Sequence, residues 1–135
     1  MKRIFQILVV SSIILHIIWF FLPSFWVYIY NKEELSLLSW HGYGSNIDTY
    51  GSIPYLGLLG YMVASIGLIF FKKWARTAFL LLTIINIILT SIGGFSVSPA
   101  IDGATSYLVS ISDGAILTIA YLTSINTNFS SHKVQ

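Results

Sequence analysis

A chain of 135 residues that is 56% hydrophobic and only 9% charged has too little polar surface to coat a soluble core of its size, which excludes a water-soluble globule. Its formal net charge of +2 is carried by basic residues placed beside apolar stretches, not by one long patch, and this argues against nucleic acid as a partner. The absence of cysteine excludes disulfides, thiolate metal sites and lipoprotein acylation.

Four apolar stretches, at 4–30, 53–71, 74–95 and 105–125, each approach or exceed the ~20 residues that cross hydrocarbon. The expected fold is all-α: a single domain of four transmembrane helices embedded in the lipid bilayer. The first stretch follows Met1-Lys2-Arg3 and continues through Pro23, Phe25, Trp26 and Tyr28, beyond the ~7 to 15 apolar residues of a cleavable signal, so it reads as a retained anchor. At 1.5 Å per residue it spans about 40 Å against ~30 Å of hydrocarbon, so it must tilt, bend or project. Pro23 is the expected bend.

Residues 31–52 form the only long connection. Glu33, Glu34, Leu35, Leu37, Leu38 and Trp40 precede a glycine-rich stretch at 42–51. The segment reads as an interfacial cap on the outer surface, with a specific binding loop as the alternative. His41, Asp48 and the Glu33-Glu34 pair match no metal-site spacing, and no metal or other cofactor is assigned.

In the second span Gly57, Gly60, Ala64 and Gly67 recur at intervals of three and four. They form a packing seam along which another helix can approach, within the bundle or in a second copy. The third span carries Asn86, flanked on its own face by Thr83 and Thr90. The fourth carries Asp113, whose charged carboxylate costs ~2.5 to 3.5 kcal/mol near a helix centre and so must avoid lipid. A helical wheel puts Asp102, Ser106, Ser110, Asp113, Ala120 and Ser124 on one face, expected to point inward, and Leu108, Ile111, Ala115, Ile119 and Leu122 on the other.

Lys2, Arg3, Lys72, Lys73, Arg76 and Lys133 all fall on one side of the four spans, and only Lys32 falls on the other. By the positive-inside rule both termini are cytoplasmic. Trp19, Trp26, Tyr28, Tyr30, Tyr50 and Tyr55 gather near the outer boundary, and Trp74 near the inner one, where amphipathic rings settle. Counted from the cytoplasmic ends, His16, Asn86 and Asp113 all reach ~18 Å into the membrane, and Tyr61 lies close to that level. These four residues are the candidate site. One reading is a proton- or ion-responsive centre of Asp113 and His16 assisted by Asn86 and Tyr61. The other is a satisfied hydrogen-bond cluster that locks four helices in register.

Asn128-Phe129-Ser130 fits a glycosylation acceptor but falls on the cytoplasmic side, where that modification is not made. No His-Glu-x-x-His pair, nucleophile elbow or phosphate-binding glycine loop is present, so no catalytic residue is assigned.

The run Lys72-Lys73-Trp74-Ala75-Arg76, the segment Gly93-Gly94-Phe95-Ser96-Val97-Ser98, and Ser112-Asp113-Gly114-Ala115-Ile116-Leu117 through Ala120-Tyr121-Leu122 resemble a group of small four-span bacterial inner-membrane proteins with no assigned activity. The resemblance covers mainly the second half of the chain. Where that group reads Phe-Ser-Pro after the tyrosine, this chain has Leu122-Thr123-Ser124. The resemblance implies a bacterial inner membrane and no particular chemistry. In layout the chain is also similar to immunity proteins against pore-forming bacteriocins.

The expected function is a non-enzymatic accessory or interaction subunit, partnered by another membrane protein or by further copies of itself. The alternatives are a small homo-oligomeric proton or ion conductor centred on Asp113, and an immunity protein against a membrane-active toxin.

Overall fold

In hydrocarbon an unpaired backbone amide has no water to turn to, so an apolar span satisfies itself as a helix. The computed structural model, which describes residues 1–45 and 51–130, contains four helices long and apolar enough to cross a membrane. These are α1 (Lys2–Ile29), α3 (Ser52–Ile69), α4 (Lys73–Ile92) and α5 (Ala100–Leu122), joined by the short α2 (Lys32–Leu38) and followed by α6 (Asn126–Ser130). The protein is thus an all-α, multi-pass membrane bundle, with no strand among the described residues. Asp48, Tyr50 and Lys133 lie outside those residues.

Several helix ends follow from local chemistry. α1 continues through Pro23 to Ile29 as one helix. α2 begins with a capping box: Asn31 accepts from the Glu34 amide at 2.9 Å, and Glu34 accepts from the Asn31 amide at 3.0 Å. α5 starts at Ala100, earlier than the hydrophobic pattern implied. Pro99, which cannot continue a helix backward, stands at its N-cap, and Asp102 complements its first turn.

The turn from α3 to α4 places Phe71 in the left-handed region, at φ 52°. The Lys72 amide donates to Gly67 O at 2.9 Å and the Phe71 amide to Leu68 O at 3.0 Å, the pattern of a Schellman cap in which glycine usually fills this position. A phenylalanine takes the strained place because its ring has partners. Phe71 stacks on Phe5 at 5.7 Å and meets Phe129 edge-on at 5.4 Å.

α1 packs against both α3 and α5, and α3 packs against α4, whereas α4 and α5 touch only sparsely. They are tied at the end that carries the chain termini. There the Arg76 guanidinium lies 4.4 Å over the Tyr121 ring and donates to Ala120 O at 3.4 Å and to the Asn126 side chain. Ile125 and Phe129 are buried beneath the bundle with Phe5. This terminal end is therefore closed by aromatic packing, with α6 as part of the plug, and the two helices leave a wedge toward the opposite, loop-bearing end.

At the loop end the two connections are sewn together. The Gly42 amide donates to Phe95 O at 2.8 Å, the Phe95 amide to Tyr43 O at 2.9 Å, and His41 Nδ1 to Val97 O at 2.8 Å. Gly94 makes this possible, with φ +78° and a position where an added Cβ would stand 2.5 Å from Tyr43 O and 2.7 Å from Ser45 N. Gly94→Ala is therefore expected to cost more than the ~1 to 2 kcal/mol of a left-handed alanine. Limited proteolysis should detect it as faster cleavage near residues 39–45, and unchanged cleavage would show that the two loops do not depend on each other.

The packing seam operates inside the bundle. At Gly67 an added Cβ would sit 2.6 Å from the Ala75 Cβ, and at Gly60 it would meet Leu82 at 3.5 Å, so both approach α4. Ala64 is buried in the core. Gly57 departs from the seam: nothing lies within 4 Å of its Cβ position, because it faces the open space between the helices. The inward face of the fourth span is also narrower than its polarity suggested. Val109, Asp113, Ile116 and Ala120 are buried, while Ser110 and Ser124 are exposed. The Ser110 hydroxyl donates to Ser106 O of its own helix at 3.0 Å, so it needs no partner from the bundle.

Candidate functional site

On α1 the buried residues Phe5, Val9, Ser12 and His16 follow one stripe at helical spacing. That stripe carries two polar side chains against Tyr61 of α3 and Asp113 of α5, all four buried. Tyr61 donates to Asp113 Oδ1 at 2.7 Å, and Ser12 Oγ donates to the same oxygen at 3.0 Å. Ser12 Oγ and the Tyr61 hydroxyl are themselves 2.7 Å apart. The His16 ring stacks on Tyr61 with centroids 3.5 Å apart, and its Nε2 stands 3.5 Å from Asp113 Oδ2. Three spans are thus joined at one carboxyl group.

The proton count follows from the partners. His16 Nδ1 lies 3.0 Å from Ser12 O, and a backbone carbonyl only accepts, so Nδ1 carries a hydrogen. The contact between Nε2 and Asp113 Oδ2 then needs one more proton. Placed on Nε2 it gives an imidazolium and a carboxylate; placed on Oδ2 it gives two neutral groups. In either case the pair carries no net charge, which is the condition under which such groups are tolerated between spans.

The sequence brought His16, Tyr61 and Asp113 to one level, and the structure brings them into contact. Asn86 is a correction. It is exposed on α4 and makes no contact with the carboxyl; the wedge holds α4 away, and Asn86 instead lines the wall of a cavity. Ser12 was missed, although it stands one turn before His16 on the same face of α1, a relation visible in the sequence.

Above the cluster the wedge forms a half-open cavity of about 540 Å³. His16, Tyr61 and Asp113 form its floor, Thr83, Asn86 and Thr90 line the α4 side, and Asp102 and Tyr107 line the α5 side. His41 and Phe95 reach it from the joined loops. No lysine or arginine is among the described residues that line it. Among the described residues there is also no group of three or more His, Cys, Asp or Glu able to hold a metal ion. The arrangement can exchange one proton at its floor and can hydrogen-bond a guest along its walls. Compared with protein-family models, curated proteins and solved structures, the chain matches none.

Proposed function

We propose that this multi-pass membrane protein is a non-enzymatic accessory subunit of a larger assembly in the bacterial inner membrane, and that it works by recognition through the cavity between α4 and α5. The observation that carries the reading is the wedge itself. α4 and α5 are tied at one end and held apart at the other, over a floor fixed by hydrogen bonds from three helices. A bundle needed only as a membrane filler gains by closing such a gap, because close van der Waals contact is its main source of association in lipid. The bias of Lys2, Arg3, Lys72, Lys73 and Arg76 to the terminal end supports cytoplasmic termini, which turns the cavity toward the outer side.

A tagged copy extracted from its native host in mild detergent and weighed by native mass spectrometry tests the role. A stoichiometric foreign subunit is expected, and a monomer or homo-oligomer alone overturns the accessory reading.

The shared proton of His16 and Asp113 favours a second reading, a proton conductor. Opposing it, Phe5, Phe71 and Phe129 pack across the terminal end. Liposomes containing the purified protein are expected to pass protons no faster than empty ones, and Asp113-dependent flux would put the conductor first.

A further inference from the structure

The charge in the cavity is one-sided. At its floor Asp113 is matched by His16, so that pair contributes no net charge. Asp102 has no such match: its carboxylate lines the wall half-buried, with no lysine or arginine beside it among the described lining residues. The titratable group that acts on it electrostatically is His41, whose Nδ1 is engaged with Val97 O. The wall thus carries an acidic side chain and no fixed cation to answer it. Trp19, Phe20 and Tyr107 line the same space, and aromatic faces attract cations through their ring quadrupoles. The volume of about 540 Å³ lies within the ~300 to 1,000 Å³ usual for small-molecule sites.

We propose that the cavity is a binding site for a small organic cation, a protonated or quaternary amine, whose charge rests against Asp102 and whose hydrocarbon lies along Trp19, Phe20 and Tyr107. An inorganic cation fits less well: it would leave most of the volume empty and the aromatic wall unused. A carboxylate or phosphate ligand would meet Asp102 with like charge. The inference rests on the cavity being the working part of the protein, and it holds whether or not a partner subunit exists.

The test is isothermal titration of the purified full chain in mild detergent with benzyltrimethylammonium, using benzyl alcohol as the neutral probe with the same ring. The cation is expected to bind with a Kd at least tenfold below that of the alcohol. Asp102→Asn should weaken the cation at least tenfold and leave the alcohol unchanged, with only the small fall in thermal midpoint expected from losing an acidic residue in the first turn of α5. Gly57→Leu adds bulk at a lining position where nothing lies within 4 Å, and it should abolish binding of both probes in a protein that still folds. The proposal is overturned if the cation does not bind, if the alcohol binds equally well, or if Asp102→Asn changes neither. Because the titration uses the chain alone, such a result removes the cation site and leaves the accessory role to be decided by what co-purifies.

Discussion

Replacing Asp113 by leucine is expected to remove roughly 2 to 5 kcal/mol from the stability of the bundle, whereas replacing it by asparagine should remove no more than about 1. Asp113 supplies three contacts between helices, to Ser12, Tyr61 and His16. Polar contacts between membrane helices are worth ~0.6 to 1.7 kcal/mol each, and leucine forfeits all three. It also leaves His16 Nε2 without its partner, while Ser12 and Tyr61 keep their bond to each other. Asparagine has nearly the same shape and divides its chemistry as the site requires. Its carbonyl oxygen accepts from Tyr61 and Ser12, and its amide donates to His16 Nε2, which is bare while Nδ1 holds its hydrogen toward Ser12 O. Unfolding titrations in mixed detergent micelles give both numbers. Equal losses for the two variants would mean that the cluster needs a full negative charge, and no loss for leucine would mean that these bonds do not hold the spans together.

What the sequence reveals about this site divides along two coordinates. Depth along the membrane normal is a matter of counting residues, and it set His16, Tyr61 and Asp113 at one level, where they are found in contact. Azimuth, the side of a helix that meets a neighbour, depends on which helices are adjacent, and it failed at Asn86. That residue has the right height but stands on a helix that leans away. Polarity misled in the fourth span for a related reason. The hydroxyls of Ser110 and Ser124 put both residues on the expected inward face, yet both are exposed, and Ser110 donates to Ser106 O of its own helix at 3.0 Å. The a/d-like run Ser106, Val109, Asp113, Ile116, Ala120 was the better guide, since its alternating steps of three and four follow a packing face. α6 escaped notice because five residues carry no periodic signal. Its meaning lies in Phe129, which is buried against Phe5, Phe71 and Arg76, all far away in sequence.

Alanine at each glycine of α3 should read out the wedge as a gradient of cost along one stripe. At Gly67 the new Cβ would stand 2.6 Å from the Ala75 Cβ and 3.1 Å from the Trp74 ring. Neither neighbour yields easily: Ala75 is fully buried on the first turn of α4, and Gly67 O also caps the turn through Lys72. The helices must separate there, and overpacking of this kind costs about 2 to 3 kcal/mol. At Gly60 the Cβ would meet only the end of the Leu82 side chain at 3.5 Å, an ordinary contact, so little change is expected. At Gly57 it would meet nothing, and removing a mid-helix glycine should stabilise by up to about 1 kcal/mol. Thermal midpoints of the three variants in one detergent should therefore rise in the order Gly67→Ala, Gly60→Ala, Gly57→Ala. If Gly57→Ala is as damaging as Gly67→Ala, the space facing Gly57 is filled, and the cavity that supports both the recognition role and the cation site is not present in the folded protein.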